Sequence, residues 1–82
     1  MIKEVTRAPR FMQAIKRLDK NYLERVEKLI IKIINNPKIG KPMRYARKGT
    51  REVYASPLRL SYAYIPDENK ILILDLYHKD NQ

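Results

Sequence analysis

Eighty-two residues with no cysteine and a single histidine make one small domain, and they exclude disulfide staples, cysteine zinc sites and clusters of histidine ligands. Eighteen Lys and Arg against nine Asp and Glu give a net charge of +9, which favours a polyanionic or acidic partner. No apolar run approaches the roughly 20 residues of a membrane span, and the N-terminal residues carry no signal-peptide pattern; a cytoplasmic protein with no membrane contact, metal or cofactor is expected.

Ile2 to Thr6 alternate apolar and polar residues and read as a short strand. Pro9 suits the first turn of a helix, where its missing N–H costs nothing. In the segment that follows, Phe11, Ile15 and Leu18 share one helical face, so an amphipathic helix ending near Asp19 is predicted. A second helix starts about Asn21 and carries Tyr22, Leu23, Val26, Leu29, Ile30, Ile33 and Ile34 as a broad apolar stripe. Its charged residues, among them Glu24, Glu27, Lys28 and Lys32, lie mostly opposite, as on a core-facing helix. The stretch "NNPKIG" ends it, because Pro37 cannot continue a helix and Gly40 permits positive φ. The short break at Asp19 to Asn21 makes the two helices an antiparallel hairpin.

From Pro42 the period changes to two. Met43 and Tyr45 alternate with Arg44 and Ala46, a turn is expected at Lys48-Gly49, and Val53 stands between Glu52 and Tyr54, which together predict a hairpin. After Ser56 and Pro57, Leu58, Leu60, Tyr62 and Tyr64 point one way while Arg59, Ser61 and Ala63 point the other. "PDENK" is a turn, and Ile71 to Leu76 form a last strand that is apolar on both faces and therefore belongs in the middle of the sheet. The order β-α-α-β-β-β-β predicts an α+β fold spanning residues 1–82 as a single domain, with the helical hairpin packed on one face of a mainly antiparallel sheet.

The cations are unevenly spread. Lys38, Lys41, Arg44, Arg47, Lys48 and Arg51 occur with no acidic residue among them. Such a block suits phosphates, since each Lys or Arg that neutralises one releases a counterion. Docking of an acidic protein and plain solvation are the alternative readings.

The residues "GKPMRY" and "TREVYASPLRLSYAYIPDENKILILDLYHK" resemble the RelE/ParE superfamily of bacterial and archaeal toxins, most of all the RelE-type ribosome-dependent messenger-RNA endonucleases. The resemblance covers essentially the whole chain. Its most specific part is an arginine in an apolar-Arg-apolar-x-Tyr strand, here Arg59, followed by a turn, a hydrophobic strand and a terminal basic motif, here His78 and Lys79. Several RelE-type enzymes carry lysines on the strand before that arginine, where this chain has "REVYA".

What the resemblance implies is a toxin of a type II toxin-antitoxin pair. It would cleave mRNA in the ribosomal A site without a metal, by attack of a 2′-hydroxyl on the adjacent phosphate, and a small acidic or amphipathic antitoxin would neutralise it. Arg59 would hold the phosphate, the alternative being a structural salt bridge to Asp75 or Glu52; His78 would move protons, as histidines can near neutral pH, and Lys79 would contact the scissile phosphate. Arg51 and Tyr54 would orient the substrate, Tyr54 by stacking on a base unless it serves as a cross-strand packing residue, and Lys41, Arg44, Arg47 and Lys48 would position the RNA backbone. A rigid last strand is expected to bring His78 and Lys79 to the phosphate held by Arg59. A ParE-like inhibitor of DNA gyrase, or a non-catalytic binding module, is the rival expectation.

Overall fold

The computed structural model describes residues 1–44 and 49–78. Its elements run β1 (Glu4–Arg7), α1 (Pro9–Ile15), α2 (Lys20–Asn35), β2 (Lys41–Pro42), β3 (Thr50–Ala55), β4 (Leu58–Ile65), a 3₁₀ turn (Pro66–Glu68) and β5 (Lys70–His78). The strands form one sheet in the order β1-β5-β4-β3-β2. β1 runs parallel to β5 and the other pairs are antiparallel. Both helices cover the same face, as the α+β reading expects.

The apolar stripe of α2 accounts for that arrangement. Val26, Ile30 and Ile33 recur at helical spacing and are buried, together with Phe11 of α1, against Val53, Leu58, Leu60, Tyr62, Ile71, Ile73 and Leu76. Burying each such side chain contributes about 1.5–3 kcal/mol before the entropy of ordering it. α1 is shorter than its periodicity predicts. Arg17 and Leu18 close it with bonds to the carbonyls of Ala14 and Ile15, and Asp19 serves the next helix instead. The Asp19 carboxylate accepts the Tyr22 N–H at 2.9 Å as the N-cap of α2. At the other edge, Arg7 grips Glu27 with two bonds of 2.9 and 2.7 Å and ties β1 to α2.

Tyr62 fixes the passage from α2 into the sheet. Its fully buried hydroxyl accepts the Gly40 N–H at 2.9 Å and donates to the Pro37 carbonyl at 2.7 Å. A side chain at Gly40 would put its Cβ 2.7 Å from that hydroxyl, so the close approach requires glycine. Gly49, half of the turn expected before β3, has a φ of +96°; Lys48 and the expected strand residues Tyr45 and Ala46 lie outside the described residues.

β5 is internal in the sheet, as its doubly apolar sequence predicts, but it is not regular. Ser61 pairs with Asp75 and Tyr62 with Ile73, which leaves Leu74 as an extra residue in a β-bulge. Because side chains alternate faces, one inserted residue reverses the facing of everything beyond it. Ile71 and Ile73 point to the helices; past the bulge Leu76 and His78 do, and Asp75 and Tyr77 point away.

Candidate active site on the open face of the sheet

The face without helices carries two rows of side chains across the strands. One row is Tyr54, Arg59 and Tyr77, in register on β3, β4 and β5; the adjacent row is Lys41, Glu52, Ser61 and Asp75 on β2 to β5. Each position follows from strand alternation, starting from the apolar residues that the helices bury on the other side.

Glu52 lies at the junction of the rows. One of its carboxylate oxygens accepts from Arg59 Nη1 at 3.1 Å, and the other accepts from the Tyr77 hydroxyl. The Glu52 side chain is 9% exposed and that of Arg59 30%, so the pair is only partly screened by water. The guanidinium carbon of Arg59 stands 5.7 Å from the ring centre of Tyr54, within cation–π range. Tyr54 itself is exposed.

Two hollows flank this cluster. On the β2 side a groove of about 470 Å³ is lined by Lys41, Pro42, Met43, Arg44, Glu52 and Arg59. On the β5 side a hollow of about 310 Å³ is lined by Arg10, Thr50, Ser61, Leu74, Asp75 and Tyr77. A carboxylate in contact with a guanidinium and a phenol, beside a groove lined by two further cations, Lys41 and Arg44, can bind an anion and accept a proton at one place. No group of three or more metal-ligating side chains occurs among the described residues.

The residues expected from sequence divide clearly. Arg59, Tyr54, Lys41 and Arg44 come together on the open face or in its groove. His78 and Arg51 do not join them, and both geometric expectations need correction. His78 is in register with Leu58 and therefore faces the helix side, where it lines a separate hollow with Leu18, Tyr22 and Leu58. The bulge at Leu74 is the cause. Arg51 is in register with Tyr62 and also points to the helix side, where its Nη1 donates to the carbonyls of Gly40 at 2.7 Å and Lys38 at 3.2 Å. That guanidinium closes the loop after α2. Lys79, Arg47 and Lys48 lie outside the described residues.

Neither Tyr77 nor Glu52 is among the site residues expected from sequence. A signal for Tyr77 did exist. Unbroken alternation from Ile71 and Ile73 would drive the Asp75 carboxylate under the helices, a costly burial, so an aspartate at that parity points to a reversal between Ile73 and Leu76.

The family model for the ParE toxin of type II toxin-antitoxin systems, parDE, matches residues 4–82. No curated protein matches the chain in sequence. Among solved structures, the toxin-antitoxin complex RelBE2 from Mycobacterium tuberculosis superposes with a TM-score of 0.86 at 21% identity, over 96% of this chain and 100% of that one. A YoeB/ParE toxin from Agrobacterium tumefaciens gives 0.80 at 13% identity, over 93% of this chain and 98% of the other. The isolated Escherichia coli RelE toxin gives 0.78 at 14% identity, over 95% and 85%. At these identities the structural likeness shows a common fold.

Proposed function

The chain belongs to the ParE toxin family of type II toxin-antitoxin systems, within the RelE/ParE superfamily, and from that premise we propose that it is an endoribonuclease toxin acting on mRNA in the ribosomal A site. The observation that carries this reading is the contact of Glu52 with both Arg59 and Tyr77 beside the groove of Lys41 and Arg44.

In this mechanism the RNA backbone lies along the groove, and the Arg59 fork exchanges part of its hold on Glu52 for the scissile phosphate. Glu52, oriented by the Tyr77 hydroxyl, takes the proton of the ribose 2′-hydroxyl. The 2′-oxygen attacks phosphorus, Arg59 stabilises the added negative charge, and the bond to the 5′-oxygen breaks. The resemblance puts Lys79 at the scissile phosphate, and in this reading its ammonium gives the proton to that departing oxygen. The products are a 2′,3′-cyclic phosphate and a 5′-hydroxyl. With one carboxylate already engaged by its arginine, the apparatus is modest for free RNA, which fits a dependence on the ribosome to hold the substrate in a reactive geometry.

The partner in this reading is a small acidic or amphipathic antitoxin. Related solved structures are complexes of toxin with antitoxin, and a net charge of +9 suits an acidic cover.

A second reading, inhibition of DNA gyrase, is favoured by the ParE family match and needs no proton acceptor. Translation of a reporter message in a purified system separates the two. Cleavage fragments with the wild type that disappear with Glu52→Gln and Arg59→Ala support the nuclease; intact message together with inhibited supercoiling supports gyrase.

A further inference from the structure

The hollow on the β5 side shares Tyr77 with the proposed cleavage cluster but presents different chemistry. Asp75 and Arg10 meet at its rim, with Asp75 Oδ2 3.8 Å from Arg10 Nη1. That separation is too long for a tight hydrogen bond, and the Arg10 side chain is 80% exposed. The aspartate is held in place by its other oxygen, which accepts the Leu76 N–H at 2.8 Å. An acceptor pair and a donor fork thus stand side by side, over apolar surface from Leu74 and Tyr77, and separated from Glu52 by Ser61 of β4.

We infer that this hollow, with Asp75 and Arg10 at its rim, is a base-recognition pocket that takes guanine from single-stranded RNA. The inference deepens the nuclease reading and rests on it for the direction of the chain: backbone on the Lys41 side, scissile phosphate at Arg59, base on the Asp75 side. Guanine presents N1–H and N2–H donors to the carboxylate, next to the O6 acceptor, which meets the guanidinium. Uracil repeats the acceptor and one donor but lacks the second donor and the larger stacking surface. Adenine and cytosine present the reverse order, placing an amino group against Arg10 and a lone pair against Asp75. The expected preference is therefore guanine over uracil, with adenine and cytosine last.

Titration of the four nucleoside 3′-monophosphates into the isolated toxin, followed by backbone amide NMR shifts, reads the pocket without any cleavage. Guanosine monophosphate should shift Thr50, Ser61, Leu74 and Asp75, with a Kd at least about tenfold below that of cytidine monophosphate. Asp75→Asn and Arg10→Ala should each remove most of that difference. Equal constants for all four nucleotides, or shifts confined to Lys41 and Arg44, would overturn the pocket. Mapping of cut sites on a mixed-sequence message in the purified translation system then distinguishes the two proposals. Cuts biased to guanine, with the bias lost in Asp75→Asn, support both. Cleavage with no base bias removes the pocket and keeps the nuclease, whereas guanine-selective binding with no cleavage keeps the pocket and removes the nuclease.

Discussion

Arg59 and His78 lie on opposite faces of the sheet, Arg59 in register with Tyr77 and His78 in register with Leu58. A phosphate held by Arg59 therefore has Glu52, not the imidazole, as its neighbour. In a purified translation assay, Glu52→Gln should lower the cleavage rate by about 100-fold or more, as for loss of a proton acceptor. Arg59→Ala should fall by a similar or larger factor, whereas His78→Ala should cut at the wild-type rate. Retained cutting by Glu52→Gln together with loss in His78→Ala would return the histidine to the catalytic role.

In the proposed function the groove cations Lys41 and Arg44 act through charge and carry no base information. Lys41→Ala and Arg44→Ala should each weaken binding to single-stranded RNA of any sequence. Each should also reduce the slope of log K against log salt by about 0.7, the release expected for one phosphate contact on a single strand. Fluorescence anisotropy with a labelled oligonucleotide at several salt concentrations measures this directly, and an unchanged slope removes that residue from the interface.

Tyr62→Phe tests the junction between α2 and the sheet. The substitution keeps the ring but strands the Gly40 N–H and the Pro37 carbonyl, a loss of about 1–3 kcal/mol, read as a lower urea midpoint at constant m-value. Burial pushes the Tyr62 hydroxyl above its ordinary value of 10.0, outweighing the lowering by the Gly40 N–H and by Arg51. A group with a raised folded pKa stabilises fully below its unfolded value and loses that contribution as pH rises through the folded one. Wild type should therefore lose stability at alkaline pH above about 10, and the phenylalanine variant should lose less of it.

The Arg7–Glu27 pair behaves in the opposite direction. Its hydrogen bonds to Arg7 hold the Glu27 carboxyl below its ordinary value of 4.5, against the raising effect of burial. The contribution is thus present above that value and disappears as pH falls through the lower folded pKa. Because both side chains are about one-third or more exposed, Arg7→Ala should cost at most about 1 kcal/mol at neutral pH from the ion pair itself. Thermal melts of wild type and variant should converge as the solution is acidified below pH 4.5; a gap that persists in acid would assign the loss to packing of the Arg7 side chain over Phe11, 5.6 Å away.

By itself the sequence determined the order of elements, the helical face of α2, the inward set on β4 and the internal position of β5, because each rests on a local periodicity that burial must satisfy. Val53 between Glu52 and Tyr54 predicted β3 as a strand, but that Glu52 faces outward and Arg51 toward the helices was decided by its pairing with β4. The tertiary structure alone also decided the facing of the last residues of β5. Asp75 calls for a reversal after Ile73, but a strand apolar on both sides does not fix where it falls, so whether His78 or Tyr77 met Arg59 depended on one inserted residue, Leu74, whose position is set by pairing with β4. That pairing joins residues distant in sequence, and its register is fixed by the fit of Leu60 to Leu76 and Tyr62 to Ile73 beneath the helices.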